Sequence, residues 1–169
     1  KSEYLSEFDW YRSRYINEPF DFVCNNKIAS AEILKQYVRV PESYMIKNRG
    51  FLSSFESVAM EYEDALKLLK DKGKMFFKPY GKGKGTGVVI MTYDYEKKMP
   101  CIDLKPVSEE DFIAYLKNHD NWFLSEAMEQ HSYLNRIYDK TVNTIRLITL
   151  KDPETHMFKV FFAVQRIGT

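Results

Sequence analysis

A glycine-rich loop between two strand-like runs constrains the fold of this chain more than any other feature. The loop occupies residues 78–87 and reads Lys-Pro-Tyr-Gly-Lys-Gly-Lys-Gly-Thr-Gly, with four alternating glycines. An apolar run at 75–77 leads into it, and a β-rich run at 88–91 leads out. Two such runs joined by a loop that contains glycine predict two strands of a sheet, and the first strand delivers Lys78.

The same loop suits a polyphosphate ligand. Glycine has no Cβ, so the backbone N–H groups of the alternating glycines can approach a ligand closely. Lys78, Lys82 and Lys84 add positive charge to the same stretch. The combination favours nucleotide binding, but a flexible hairpin with solvated lysines fits the pattern equally well. Both interpretations stay open at this point.

The loop does not match three common phosphate-binding motifs. A Walker A loop needs Gly-Lys followed by Ser or Thr and then a helix, and neither occurs here. The dinucleotide fingerprint fails because Thr86 stands where a third glycine belongs. Protein kinases place the glycine loop before the lysine strand, whereas Lys78 comes first here, and the His-Arg-Asp and Asp-Phe-Gly triplets are missing.

Composition excludes some classes of partner. A chain of 169 residues can bury one core or two small lobes. Its net charge of +1 argues against a nucleic-acid partner, and no apolar run is long enough to span a membrane. Cys24 and Cys101 match no metal or redox spacing, and no signal peptide is visible, so we expect free thiols and a cytoplasmic protein.

Hydrophobic periodicity and capping residues predict mixed helices and strands. Asn26 and Ser108 are good N-caps, and the pair Ser53 and Glu56 has the spacing of a capping box. Helices are therefore predicted over 2–16, 27–36, 53–71 and 108–118, and strands near 43–46, 75–78, 88–91, 101–104, 122–125, 142–150 and 158–167. Strands and helices do not alternate strictly, so we expect an α+β fold with a sheet covered on one face.

Two arginines stand at the strands near the C-terminal end. Arg146 lies inside the otherwise apolar run 143–150, and Arg166 ends the run 160–166. Arginine is rarely buried without an anionic partner, so Arg146 needs either a structural carboxylate or a bound phosphate. Both explanations fit the sequence. Two arginines leaving neighbouring strands could also clamp a transferring phosphoryl group or a carboxylate.

The order of these segments resembles the ATP-grasp superfamily, and more narrowly its sugar-transfer-associated branch. The resemblance covers the chain from about residue 25 to 169. It rests on the order and spacing of several short segments and on no single one of them. The segments are Asn26-Lys27, Val40-Pro41, Phe77-Lys78-Pro79 with the glycine loop, Leu124-Ser125-Glu126, Glu129-Gln130-His131, Asn143-Thr144-Ile145-Arg146 and Ala163-x-x-Arg166-Ile167-Gly168.

The resemblance implies roles for these residues. Lys27 and Lys78 look like the two lysines that contact the nucleotide phosphates, and Arg146 and Arg166 like the cations that steady the transferring phosphoryl. Glu129 is a candidate for the ribose hydroxyls. The loop that closes over the phosphates would be Gly81, Lys82, Gly83, Lys84, Gly85, Thr86 and Gly87. The hinge whose backbone reads the adenine edge would be Glu126, Ala127 and Met128.

The resemblance also implies an activity. In the family a carboxylate attacks the terminal phosphate of ATP, and an amine or another nucleophile captures the acyl phosphate, which releases ADP and phosphate. The branch name suggests cell-surface polysaccharide precursors as substrates. The family's magnesium ligands match no residue here and are expected downstream of Thr169, where the chain ends within a strand-like run. The expected parts are a helical segment 1–38, a small lobe 39–125, and a hinge with the incomplete start of a large lobe 126–169.

Other interpretations remain. A non-catalytic nucleotide-binding or interaction module with the same fold would lack the downstream acidic residues. A nucleotide kinase-like transferase is disfavoured because no catalytic Asp loop is visible, and an RNA-binding module is disfavoured by the near-neutral charge. The oligomeric state is open, although an uncovered strand edge at 160–164 would favour self-association.

Overall fold

The computed structural model describes residues 6–13, 15–80 and 86–168. It divides into two compact units, the first ending at Ala127 and the second beginning at Met128. The architecture is α+β with a mostly antiparallel sheet, which confirms the predicted fold class.

The elements follow the chain in a mixed order, as the capping pattern predicts. The helices are α1 (Glu7–Ser13), α2 (Asp21–Asn25), α3 (Lys27–Leu34), α4 (Tyr62–Lys72), α5 (Glu109–Asn118) and α6 (Ser132–Asn135). The strands are β1 (Ser43–Asn48), β2 (Phe51–Ser53), β3 (Lys74–Pro79), β4 (Val89–Asp94), β5 (Met99–Ile102), β6 (Lys105–Pro106), β7 (Trp122–Glu126), β8 (Thr144–Lys151) and β9 (Phe158–Arg166).

The first unit is built on a seven-stranded sheet of order β2-β1-β7-β3-β4-β5-β6, in which all neighbours are antiparallel. Phe77 on β3 lies opposite Val89 on β4, so the glycine-rich stretch connects two adjacent strands, as predicted. Strand β7 lies between β1 and β3, with Phe123 opposite Lys78. The sheet therefore places β7, which comes from a distant part of the chain, beside the strand that carries Lys78.

The core lies on one face of this sheet, beneath α4 and α5. Along β3, Met75 and Phe77 are buried against Leu69 of α4 and Leu116 of α5. Burying one side chain of this size contributes about 1.5–3 kcal/mol. Because side chains alternate along a strand, Lys78 points to the opposite face of the sheet. That alternation separates the helix-covered core from the face that carries the cation.

Helix α4 begins later than the Ser53 and Glu56 spacing predicts. Ser53 is the last residue of β2, and the hydroxyl of Ser54 accepts a hydrogen bond from the backbone N–H of Glu56 in a turn. The helix starts at Tyr62 after Glu61, whose N–H donates to the Asp64 carboxylate at 2.9 Å. The predicted capping box was wrong because strand pairing of 51–53 with β1 takes precedence over a local cap.

The C-terminus of α5 is capped by a buried lysine from β1. The ammonium of Lys47 donates to the carbonyl oxygens of Leu116, Lys117 and His119, at 3.3, 2.7 and 2.7 Å. The Trp122 indole N–H donates to two of the same oxygens. A helix end has carbonyls without helical partners, and these bonds satisfy them. Lys47 therefore has a structural role that joins α5 to the sheet.

The second unit is a ribbon of β8 and β9 joined to a short helical segment. Asn143, which precedes β8, is 6% exposed and links the parts of this unit. Its side-chain NH₂ donates to the carbonyls of Leu134 and Tyr138, and its side-chain oxygen accepts from Gly168 N–H at 3.1 Å. Its backbone N–H donates to the side-chain oxygen of Gln130. Asn143 thus ties the region around α6 to the end of the ribbon where β8 begins and β9 ends.

Candidate functional site

Helix α3 presents Lys27 at its first position. The Asn26 side-chain oxygen accepts from the N–H groups of Ile28 and Ala29, at 3.0 and 3.1 Å, so the helix starts where the sequence predicts. A cation at a helix N-terminus meets the unfavourable end of the helix dipole. The Lys27 ammonium lies 3.2 Å from the carbonyl oxygen of Pro79 and donates to it. This contact places the positive charge beside the end of β3.

Lys78 lies on the face of the sheet opposite the core, between two aromatic rings. Its ammonium is 5.4 Å from the ring centre of Phe76 and 5.9 Å from that of Phe123. Within the described ranges, Lys78 has no hydrogen-bond or ion-pair partner for this charge. Burial, and then the charge of Lys27, lower the pKa of Lys78 below its ordinary value of 10.5. An anion beside the two lysines would compensate both effects.

A cavity of about 270 Å³ opens beside the two ammonium groups. Lys27 and Lys78 supply its positive charge, and serine residues supply hydroxyl groups, two of which donate to backbone carbonyls of the chain. Val40, Pro41 and Phe123 give it an apolar side, and its serines are Ser30, Ser43 and Ser125. Cations and hydroxyls next to an apolar wall suit an anionic ligand with an organic part. The residues present therefore fit a nucleotide phosphate.

The glycine loop is described only at its two ends. The predicted contacts of Gly81, Lys82, Gly83, Lys84 and Gly85 lie outside the described residues. Thr86 is exposed, and Gly87 has a left-handed φ of +75°. A Cβ on Gly87 would lie 3.1 Å from Cγ of Pro79. The second end of the loop thus packs closely on the residue after Lys78, in a conformation that favours glycine.

The predicted hinge residues lie where the two compact units divide, between Ala127 and Met128. Both residues are half-buried, and Glu129 is exposed. The Glu126 carboxylate is already engaged, because it accepts from Arg39 at 3.2 Å and from the N–H of Glu42 at 3.1 Å. We therefore expect any adenine contact at 126–128 to involve backbone groups.

The ribbon places the two predicted arginines on one of its faces. Arg166 lies opposite Thr144, and Arg146 is two residues along the same strand as Thr144. Side chains two residues apart share a face, so Arg146 and Arg166 are diagonal neighbours. The expectation that Arg146 is buried was wrong, since every residue of β8 is exposed. Neither arginine has an ion-pair partner among the residues that the structure describes.

No magnesium site can be assigned from the geometry. Among the described residues, no group of three or more His, Cys, Asp or Glu side chains could hold a metal ion.

No helix in the described part of the chain is long and apolar enough to cross a membrane.

Sequence reasoning missed the serine side of the cavity. Ser125 is two residues from Phe123 on β7, so both share the face of Lys78, and this alternation was the available signal. The position of Ser30 one turn after Lys27 on α3 was a second signal. Ser43 gave none, because its contribution depends on the pairing of β1 with β7.

A family model described as sugar-transfer associated ATP-grasp matches residues 8–169, a range that includes all of the predicted site residues. No curated protein and no solved structure gives a significant match to the chain.

Proposed function

Since the chain belongs to the sugar-transfer-associated ATP-grasp family, we propose that its first unit binds the phosphates of ATP between Lys27 and Lys78. The observation that carries this proposal is the half-buried ammonium of Lys78, which faces a cavity without an anionic partner among the described residues. A buried charge is expensive unless it is paired. A nucleotide phosphate would supply the missing partner.

The chemistry that we propose for the complete site is ligation through an acyl phosphate. An oxygen of a carboxylate substrate attacks the terminal phosphorus of ATP, and the bond to ADP breaks. An amine or another nucleophile then attacks the acyl carbon, and phosphate leaves. The side chains that would neutralise the transferring charge are Lys78 and the two ribbon arginines, Arg146 and Arg166. Phosphoryl transfer depends mainly on such positioning and charge neutralisation.

The loop and the hinge have supporting roles in this proposal. Residues 81–87 would close over the phosphates and keep water from the acyl phosphate. The backbone of 126–128 would read the adenine edge, and Glu129 would contact the ribose hydroxyls. The family description links the branch to sugar transfer, so we extend the proposal to precursors of cell-surface polysaccharides. Magnesium is the metal that the family implies, but no described set of residues fits it.

Calorimetric titration with ADP and magnesium tests the binding proposal. Wild type, Lys78→Met and Lys74→Met would be compared, because Lys74 is an exposed lysine on the same strand. We expect micromolar binding by wild type and by Lys74→Met, and binding at least tenfold weaker, about 1.4 kcal/mol, by Lys78→Met. The proposal would be overturned if both variants lost ADP affinity equally, or if the folded wild type did not bind ADP.

A further inference from the structure

A second cavity of about 410 Å³ lies on the helix-covered face of the sheet, at the base of the glycine loop. Because side chains alternate along β3, Phe77 and Pro79 point away from the face that carries Lys78. The cavity is thus separate from the cationic one, and its size is within the range of small-molecule pockets, about 300–1,000 Å³. It is lined by residues that include Phe77, Pro79, Val89, Tyr115, His119 and Asp120.

Aromatic rings form much of the wall of this cavity. The ring centres of Phe77 and Tyr115 are 5.5 Å apart, and those of Phe77 and His119 are 5.6 Å apart. Tyr115 and His119 stack on each other at 4.3 Å with an interplanar angle of 33°. Both rings rest on Phe77, which is itself held in the core and is only 3% exposed. Rigid ring surfaces of this kind favour a flat aromatic ligand.

The polar groups of the cavity include both donors and acceptors, and His119 and Asp120 supply the acceptors. The Nδ1 atom of His119 lies 2.8 Å from the carbonyl oxygen of Tyr115. A carbonyl only accepts, so Nδ1 carries the proton and Nε2 is the acceptor of the neutral ring. The carboxylate of Asp120 also lines the cavity and accepts from the N–H of Gly50 at 3.2 Å. The acceptors on His119 and Asp120 favour a ligand with an N–H donor, and the carboxylate of Asp120 disfavours an anion.

From this arrangement we propose that the cavity is a second ligand site, which takes a planar heteroaromatic molecule with an N–H donor. The ring of the ligand packs against Tyr115 and Pro79, and its N–H group donates to Nε2 of His119. The site is independent of the two lysines, because it uses the other face of the sheet. A negative result at this site would therefore not affect the proposed nucleotide binding, and the reverse also holds.

Indole and benzofuran are matched probes for this site, since they share a shape and only indole has an N–H donor. Each would be titrated into ¹⁵N-labelled protein, and the backbone amide shifts of Val89, His119 and Asn121 would be followed. Val89→Phe fills the cavity. His119→Phe keeps an aromatic wall but removes the acceptor nitrogen, and Lys78→Met is the control on the opposite face.

We expect saturable shifts with indole. Benzofuran should bind at least about fivefold more weakly, because it leaves the acceptor unpaired. His119→Phe should reduce indole binding to the level of benzofuran, Val89→Phe should abolish it, and Lys78→Met should leave it unchanged. The proposal is overturned if indole gives no saturable shifts, if both probes bind equally, or if folded Val89→Phe binds indole as wild type does.

Discussion

The side-chain ammonium of Lys27 donates a hydrogen bond to the backbone carbonyl oxygen of Pro79 at 3.2 Å, across 52 positions of sequence. Pro79 directly follows Lys78, so this bond holds the first residue of α3 beside the strand that carries the second cation. Two like charges repel at such a site, and the charge of Lys27 contributes to the lowered pKa of Lys78. The carbonyl contact helps to retain an arrangement that becomes favourable when an anion binds.

Replacing Lys78 should stabilise the protein in the absence of nucleotide. Its pKa is lower in the folded state than the ordinary 10.5, so stability rises with pH between the lowered value and 10.5. Below the lowered folded-state pKa the amine is charged in both states, and the full penalty is present. We expect Lys78→Met to raise the free energy of unfolding by about 0.5 kcal/mol, a value reduced for screening by water.

Urea unfolding at pH 7 measures this effect, with the exposed Lys74→Met as the control. A Lys78→Met protein less stable than wild type would show that the charge is already compensated in the free protein.

Replacing Lys47 should have the opposite effect on stability. Lys47→Met keeps an apolar stem but removes a donor from three carbonyl oxygens of the α5 terminus, two of which still accept from the Trp122 indole. Buried polar groups that lose their partner cost about 1–3 kcal/mol, so we expect a loss of about 2 kcal/mol in urea unfolding. Lys117→Met, at an exposed position of α5, should change stability by less than about 0.5 kcal/mol. Similar values for the two variants would refute the capping role of Lys47.

Asn143 should control the local stability of the second unit. Asn143→Ala removes the acceptor of the Gly168 N–H and two donors to the segment around α6. We expect the Gly168 amide to exchange with solvent at least about fivefold faster, because each lost bond lowers the cost of local opening. Hydrogen exchange measured by NMR gives the rate. Thr144→Ala, at the exposed neighbouring position, is the control and should leave the rate near that of wild type.

The turn between β8 and β9 should respond to acid through Asp152. Its carboxylate accepts from Lys159 and from the N–H groups of Thr155 and Glu154, which lower its pKa from 3.8 to about 2. A lowered pKa stabilises the turn above pH 3.8, and this contribution is lost as the pH falls from 3.8 toward 2. Lys159→Met should raise the pKa of Asp152, as measured by carboxyl-carbon NMR. An unchanged pKa would mean that the backbone contacts alone are responsible.

Local signals predicted much of the fold. Asn26 and Ser108 cap α3 and α5 as their side chains suggest, because a cap requires only the next few backbone groups. The hairpin around the glycine loop followed from two adjacent apolar runs. The start of α4 was not predicted correctly, because Ser53 pairs with β1 in the sheet. Such pairing depends on residues that are not its immediate neighbours in the sequence.

The sequence predicted the charged residues of the candidate site but not the uncharged groups around them. Lys27 and Lys78 share one cavity as expected, but the Pro79 carbonyl and Ser125 join them only through the tertiary fold. The burial of Arg146 was predicted from an apolar run, yet β8 is exposed, because an apolar run does not specify what covers it. The buried Lys47 gave no signal, since its three acceptors lie on a distant helix end.

The pKa of the Lys78 amine, with and without saturating ADP, tests the central claim most directly. Lysine side-chain NMR gives this value, Lys78→Met identifies the signal, and Lys74 provides an internal control. We predict a pKa below the ordinary 10.5 in the free protein, and a rise of about one pH unit or more with ADP, because a phosphate stabilises the charged amine. An amine whose pKa is the same with and without bound ADP would contradict phosphate binding at Lys78.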